Sequence, residues 1–333
     1  MKEYAEMKKK QFLGSFIISV LAVFILAACD SGNSNEGSAS SEGEDAEKLQ
    51  VVGDFTIMSD IAEKVGGDRV DVYNIIPQGN EPHDWDPSPD DSKNTADTDV
   101  FFYFGWNLEG LDSDSENWVY KLLDAVDKDK DDDNVFALSD GIEQLELETK
   151  EFEGTPNPHG FNTPKNGITM VENARDAYID IDPDHKEEYE ENADEFIEEL
   201  EGLDQQYEEK IGEISEEDRI LVTSERSFQY VADQYDLEEG FIWERDGEHE
   251  GTPEQIKNTI EYVEDNEPNA LLDEYTSDKR PMQTVADETG LTVAGSLYSE
   301  DLGNADDFVA YLQHNLNTIL DALTQDFDVD DED

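Results

Sequence analysis

The stretch from Asp182 to Ile214 constrains the fold more than any other part of the chain. Its apolar residues recur three or four positions apart, which predicts one apolar face on a long α-helix. They are Tyr189, Ala193, Phe196, Ile197, Leu200, Leu203, Tyr207, Ile211 and Ile214. Asp182 can cap such a helix, and Pro183 suits its first turn. A helix roughly 45 Å long, at about 1.5 Å per residue, could brace two lobes or cover a single sheet.

Segments on both sides of this helix alternate between strand and helix patterns. Strands are predicted at 49–52, 70–76, 100–104, 220–222, 240–243, 270–272 and 291–294, and helices at 57–65, 228–235, 253–263 and 306–323. This alternation is typical of parallel sheets that are buried on both faces. We therefore predict an α/β fold with two lobes of mostly parallel sheets, at 49–181 and 215–325, bridged by the long helix at 182–214.

The composition is strongly acidic. The chain has 22 basic and 87 acidic residues and a formal net charge of −65, which argues against nucleic acid as a partner. Periodic runs of aromatic and β-branched residues argue against a disordered chain. We interpret the charge as a halophilic surface, adapted to concentrated salt. Residues 29–48 and 326–333 are predicted to be a flexible acidic tether and an acidic tail, and the run 124–134 a solvated loop.

The N-terminus has the pattern of an export signal. Three lysines at 8–10 precede an apolar run over 12–28 that ends in small residues. Leu26-Ala27-Ala28-Cys29 resembles the lipobox of bacterial lipoproteins, and Cys29 is the only cysteine. We predict a signal peptide at 1–28, a lipid anchor on Cys29 and a location on the extracellular face of the cell membrane. A membrane-anchor helix is the alternative, but the run is short for a span.

Common enzyme signatures are missing. The sequence has no Gly-x-Ser-x-Gly elbow, no phosphate-binding glycine loop and no His-Glu-x-x-His helix. Open α/β sheets bind ligands at the carboxyl ends of their strands, so the loops there are where donors should lie. Four such loops carry candidates, namely His83, His159, Glu225 and the pair Glu300-Asp301. The remaining histidines, His185, His249 and His314, are assigned to structure or solvent.

Four motifs together resemble one known family. They are Val222-Thr223-Ser224-Glu225, Ile242-Trp243-Glu244, Glu250-Gly251-Thr252-Pro253-Glu254-Gln255-Ile256-Lys257 and Lys279-Arg280-Pro281-Met282. They resemble the manganese- and zinc-binding receptor lipoproteins of bacterial ABC importers, over residues 49–323. The resemblance implies two α/β lobes bridged by one long helix, with a metal site in the cleft between the lobes. It also implies a non-enzymatic receptor that acts as a monomer and delivers its metal to a membrane permease.

The resemblance also implies the metal ligands. The family's two histidines fall on His83 and His159, its third ligand on Glu225, and its fourth on Glu300. The family usually has Asp followed by Ser at the fourth position, so Asp301 is a second candidate. Asn157 replaces the acid of the usual Asp-Pro-His motif.

Two imidazoles and two carboxylates would balance the charge of one divalent cation. Nitrogen and oxygen donors without thiolate suit Mn²⁺ or Zn²⁺. We favour Mn²⁺, because Glu225 adds oxygen and the loop 124–134 lacks the histidines that zinc-binding members often carry.

Two other functions remain open on the sequence. A secreted metal-dependent hydrolase would need an open coordination position and a general base, and no separate base is visible. A surface adhesion module would use the metal structurally and would unfold without it.

The signal segment predicts a modified N-terminus. If Cys29 is the lipidation site, the mature protein begins at Cys29 and carries acyl chains there. Mass spectrometry of the native N-terminal peptide tests this. An unmodified Cys29, or an intact segment 1–28, would contradict it.

The charge predicts a dependence of stability on salt. Screening lengths are about 30 Å in 0.01 M salt and about 3 Å in 1 M salt, so dilute buffer leaves the carboxylates repelling one another. We expect the melting temperature to rise steadily with NaCl concentration. A melting temperature that does not change between dilute buffer and molar salt would contradict the halophilic interpretation.

Overall fold

The computed structural model describes residues 48–111, 117–149, 152–245 and 251–326. The strands are β1 Leu49–Gly53, β2 Val70–Asn74, β3 Val100–Tyr103, β4 Val135–Ala137, β5 Ile220–Glu225, β6 Glu238–Trp243, β7 Leu271–Glu274 and β8 Val293–Leu297. The helices are α1 Thr56–Gly66, α2 Pro89–Asp97, α3 Trp118–Ala125, α4 Pro164–Ile181, α5 Lys186–Gly212, α6 Gln229–Gln234, α7 Pro253–Asn266, α8 Arg280–Thr289 and α9 Phe308–Thr324. Every predicted strand is confirmed, with ends that differ by a few residues.

The sheets are parallel, as the alternation of strands and helices predicts. In the first lobe the strand order is β2-β1-β3-β4, and each neighbouring pair is parallel. In the second lobe β5 pairs with β6 and β7 with β8, again in parallel, and β5 lies against β7. Parallel strands place their carboxyl ends at one edge of a sheet. The fold is therefore α/β with two lobes, while the limits 49–181 and 215–325 stay a prediction.

The long helix α5 buries the predicted apolar face. Its buried residues are Tyr189, Ala193, Phe196, Leu200, Leu203, Tyr207 and Ile211. The helix packs against α1 and α4 of the first lobe and against α9 of the second. The Tyr207 hydroxyl also donates a hydrogen bond to the carbonyl oxygen of Leu312 in α9, at 2.7 Å. Because α5 is buried against both lobes, it joins them instead of covering one sheet.

The predicted start of this helix is wrong. Residues Pro183–His185 form a separate 3₁₀ turn, and the regular helix begins only at Lys186. The Asp182 side chain does not cap the helix. Its Oδ2 atom instead accepts a hydrogen bond from the Tyr189 hydroxyl at 2.9 Å and lies 2.6 Å from His185 Nδ1. Those side-chain contacts compete with the backbone N–H groups that a cap would satisfy.

The helix α4 is the largest element that the sequence analysis does not assign. It begins with Thr163, whose hydroxyl accepts a hydrogen bond from the Asn166 N–H at 3.2 Å, and Pro164 occupies its first turn. This Thr-Pro pair is a helix-start signal. Helices α2, α3 and α8 and the short strand β4 are also unassigned by the sequence. The capping box of Thr252 and Gln255 at the start of α7 is confirmed.

The buried core is continuous between the lobes. One cluster of buried residues includes Val51 and Phe102 from the first lobe, Leu200 from α5, and Leu272 and Ile319 from the second lobe. A smaller cluster lies between strands β5, β6 and β7 and helices α7 and α8. Such shared apolar packing favours a small tilt between the lobes over a wide opening.

Several sequence predictions fall outside the described residues. They are the signal peptide at 1–28, Cys29, the tether up to residue 47, His249 and the tail from residue 327.

Within the part that is described, no helix combines the length and apolar content needed to cross a membrane. Most residues of the acidic run 124–134 are exposed, as expected of a solvated loop.

Candidate metal centre

Four predicted ligands converge at the carboxyl ends of the strands. His83 lies in the loop after β2 and His159 just before α4, while Glu225 ends β5 and Glu300 follows β8. One candidate ligand atom from each residue lies within 4.8 Å of those of the other three, and all four residues are buried. The first lobe thus contributes two imidazoles, and the second lobe two carboxylates.

The donor atoms are close enough to share one ion. His83 Nε2 lies 3.1 Å from Glu300 Oε1 and 4.0 Å from Glu225 Oε1. His159 Nε2 lies 3.7 Å from each of the same two oxygens. Both Nε2 atoms and Glu300 Oε1 are buried without a hydrogen-bond partner among the described residues. Buried polar atoms are costly when unsatisfied, and a cation among these atoms would remove that cost.

The second nitrogen of each imidazole fixes the orientation of its ring. His83 Nδ1 lies 2.7 Å from the carbonyl oxygen of Leu108, and His159 Nδ1 lies 2.9 Å from Asn157 Oδ1. Because these two oxygens can only accept, Nδ1 carries the hydrogen in each ring and Nε2 keeps its lone pair. This is the arrangement by which histidine ligands are commonly held for metal binding.

The hydrogen bonds of Asn157 explain why an amide replaces the aspartate of the family's usual Asp-Pro-His motif. Its Oδ1 atom accepts a hydrogen bond from the His159 N–H at 3.0 Å and faces His159 Nδ1. Its Nδ2 atom donates to the carbonyl oxygen of Arg226 at 2.8 Å and to Gln229 Oε1 at 2.9 Å. An amide can accept on one side and donate on the other, whereas an aspartate carboxylate could not donate.

The structure separates Glu300 from Asp301. Glu300 Oε2 accepts a hydrogen bond from the Thr276 hydroxyl at 3.1 Å, and Oε1 faces the two histidines. Asp301 instead turns to the backbone, since Oδ1 accepts from the Gly303 N–H at 2.8 Å and Oδ2 from the Gly79 N–H. Asp301 therefore lies outside the cluster and connects the loop that carries Glu300 to the loop that carries His83.

The protonation states of the cluster suit a cation. Burial lowers the pKa of His159 to about 4, and the neighbouring His83 and Arg245 act in the same direction. For Glu300, burial opposes ionisation, but hydrogen bonds from His159 and His83 outweigh it and bring its pKa well below the usual range. Those hydrogen bonds need a hydrogen on Nε2, and a cation would take the place of that hydrogen when Nε2 keeps its lone pair. At neutral pH the site therefore offers a neutral His159 imidazole beside an ionised Glu300 carboxylate.

The other described histidines lie outside the cluster. His185 is engaged with Asp182, and His314 Nε2 lies 3.0 Å from the carbonyl oxygen of Ser296. The His314 ring also stacks on Tyr298, with 3.9 Å between the ring centroids. Their assignment to structure therefore agrees with their contacts.

Sequence analysis missed Arg245, which lies beside the cluster. Its Nη2 atom is 3.3 Å from His83 Nδ1. Its place just after the motif Ile242-Trp243-Glu244, at a strand's carboxyl end, is the one signal that could have indicated it.

Comparison with known proteins places the chain among metal receptors. The family described as zinc-uptake complex component A, periplasmic, matches residues 51–322. The metal ABC transporter substrate-binding lipoprotein SsaB of Streptococcus sanguinis is 34% identical over 323 residues, covering 96% of this chain and 100% of that protein. The manganese ABC transporter substrate-binding lipoprotein PsaA of Streptococcus mitis is 33% identical over 317 residues, covering 94% and 99%.

Solved structures share the fold. The Mn-bound periplasmic metal binding protein of Candidatus Liberibacter asiaticus superimposes with a TM-score of 0.73 at 24% identity, covering 83% of this chain and 100% of that one. The periplasmic zinc binding protein TroA of Treponema pallidum also gives 0.73, at 19% identity, covering 83% and 99%. The curated relatives are transport receptors and not enzymes. The chain belongs to the zinc-uptake complex component A family, the metal-binding receptors of ABC importers that the sequence motifs resemble.

Proposed function

We propose that this chain captures a divalent transition metal between its lobes and delivers it to the permease of an ABC importer. The observation that supports this most directly is the buried cluster of His83, His159, Glu225 and Glu300, with two imidazole Nε2 atoms facing two carboxylates. We propose these four residues as the metal ligands and exclude Asp301, because its carboxylate is engaged by the backbone.

We propose Mn²⁺ as the preferred cargo and Zn²⁺ as the next. Two nitrogen and two oxygen donors without thiolate suit both ions, and intrinsic affinity alone would favour zinc. The second carboxylate is the main physical argument for manganese, since harder oxygen ligands suit Mn²⁺ better. Relatives named for manganese and for iron are about equally similar to this chain, so metal choice must be measured.

The location and the partner follow from the same proposal. We propose that the mature chain is anchored by lipid at Cys29 on the extracellular face of the membrane and acts there as a monomer. Its relatives are named as lipoproteins of ABC transporters, which supports both an anchor and a permease partner. No observation favours the adhesion function, and the hydrolase function does not agree with the family.

Substitution of each proposed ligand should weaken metal binding. We expect His83→Ala, His159→Ala, Glu225→Ala and Glu300→Ala each to reduce Mn²⁺ affinity by more than about tenfold, because each leaves an open position or an unbalanced charge. His185→Ala is the control, since that ring lies on the 3₁₀ turn before α5. Isothermal titration of the purified, metal-free proteins measures the effect.

Asp301→Ala tests the fourth ligand separately. We expect a smaller loss of affinity than for Glu300→Ala, because Asp301 accepts a hydrogen bond from the Gly79 N–H and does not face the proposed metal position. If Asp301→Ala were the more damaging change, the ligand assignment would be wrong. If all four ligand variants bound metal like the unsubstituted protein, the receptor function proposed for this site would be wrong as well.

Buried His159 should titrate at an unusually low pH. Its pKa is about 4 in the metal-free fold, below the usual 6.5, so protons compete with metal at this ligand only in acid. The unfolded chain binds this proton more readily than the folded protein. Protonation of His159 in the unfolded chain therefore lowers the free energy of unfolding as pH falls from about 6.5 towards 4. NMR titration of the His159 ring in the metal-free protein should give a midpoint near 4. A midpoint between 6 and 7 would contradict the burial of the ring.

A further inference from the structure

Arg245 is a buried cation beside the proposed metal ligands. It follows β6 in the second lobe and is 8% exposed. Its Nη2 atom donates a hydrogen bond to the carbonyl oxygen of Asn107 at 2.6 Å, in the first lobe. The same atom lies 3.3 Å from His83 Nδ1, and the guanidinium lies 5.7 Å from the centre of the Phe152 ring. Arg245 therefore reaches across from one lobe to the other, next to a metal ligand.

The turn that receives Arg245 has an unusual backbone. Gly105, Trp106 and Asn107 have φ angles of 94°, 56° and 69°, a left-handed conformation that Trp adopts rarely. This conformation is maintained by its surroundings and is common at functional sites. The turn points two successive carbonyl oxygens at the site. The Asn107 oxygen accepts from the Arg245 guanidinium, and the Leu108 oxygen lies against His83 Nδ1. One turn thus fixes the position of the cation relative to the His83 ring.

The charge of Arg245 acts on the cluster. Burial lowers the pKa of the guanidinium, while Glu225, Glu300 and Glu81 are among the carboxylates that oppose this shift. An arginine nevertheless stays protonated in proteins, so the site contains a permanent positive charge. The Asn107 carbonyl that accepts from Nη2 is neutral and does not cancel that charge. The two carboxylates of the cluster therefore have a partial counter-ion when no metal is bound.

We propose that Arg245 sets the affinity of the site for divalent cations, by stabilising the metal-free carboxylates and by repelling the bound ion. This inference rests on the proposed receptor function. A receptor must also release its cargo, and a fixed cation weakens binding without removing a ligand. Arg245 is in this sense an affinity-determining residue that does not itself bind the metal.

The geometry allows an estimate of the effect. Arg245 Nη2 lies 3.3 Å from His83 Nδ1, so an ion bound at His83 Nε2, at a metal–nitrogen distance of about 2.1 Å, would lie roughly 6 to 7 Å from Nη2. At an effective dielectric constant of about 20 to 40, removal of one positive charge at that distance from a divalent ion should raise affinity by about fiftyfold or more. The same removal should destabilise the metal-free protein, because Glu225 and Glu300 lose the favourable electrostatic interaction with this buried cation.

Three substitutions at Arg245 separate charge from packing. Arg245→Gln removes the charge and keeps an N–H donor for Asn107, Arg245→Met removes both, and Arg245→Lys keeps the charge. The matched control is Arg280→Met, which removes one positive charge from an exposed side chain. For each protein, competition titration measures the dissociation constant for Mn²⁺, and a thermal melt measures the stability of the metal-free form.

We expect Arg245→Gln to bind Mn²⁺ about fiftyfold more tightly or better, and to melt at a lower temperature when metal-free. Arg245→Met should shift both quantities in the same directions, while Arg245→Lys and Arg280→Met should stay near the unsubstituted protein in affinity. A residue needed only for packing would lower both stability and affinity. Opposite changes in the two quantities therefore identify the electrostatic role.

Equal or weaker Mn²⁺ binding by Arg245→Gln would overturn the inference, and so would equally tight binding by Arg245→Lys and Arg245→Gln. These outcomes differ from failure of the receptor function itself. If the receptor function itself were wrong, the unsubstituted protein would bind neither Mn²⁺ nor Zn²⁺, or Glu300→Ala would bind these ions as tightly as the unsubstituted protein.

Discussion

Two imidazole rings that present their Nε2 atoms to two buried carboxylates determine how the rest of this site must be built. His83 and His159 can do so only because acceptors behind them take the Nδ1 hydrogens, at 2.7 Å and 2.9 Å. Those acceptors depend in turn on local structure, namely a left-handed turn at 105–107 and the Asn157 amide. Without a cation, the two facing carboxylates keep their negative charge in a buried site, where Arg245 partly offsets it. The donor set, the supporting hydrogen bonds and the buried arginine therefore form one electrostatic unit.

The fold brings this unit together from distant parts of the chain. Parallel strands place the donors at their carboxyl ends, and α5 joins the two lobes through a continuous apolar core. Polar contacts then connect the loops around the site, including Asp301 to Gly79 and Arg245 to Asn107. The apolar core and the polar contacts differ in the free energy needed to disturb them. Metal binding can shift the polar contacts at modest free-energy cost, whereas separation of the core would expose apolar surface to water.

The sequence predicted the strands and the apolar face of α5 because both depend on local periodicity. It missed α4, although Thr163-Pro164 is a clear start signal, and it assigned Asp182 to a cap that Tyr189 and His185 prevent. The four proposed ligands came from family resemblance, since single histidines and acids carry little information in so acidic a chain. Glu300 and Asp301 are adjacent, so only their three-dimensional contacts could separate them. Arg245 reaches the site through a contact with Asn107 of the other lobe, and no local sequence pattern indicates such a contact.

The central claim is that His83, His159, Glu225 and Glu300 together hold one transition-metal ion. A crystal of the protein grown with equimolar Mn²⁺ and Zn²⁺, measured at wavelengths around both absorption edges, tests it most directly. We expect a single strong anomalous peak within about 2.0 to 2.3 Å of both Nε2 atoms and of one oxygen from each glutamate. A peak centred on Asp301 or on the exposed acidic surface, with none between the two histidines, would contradict it.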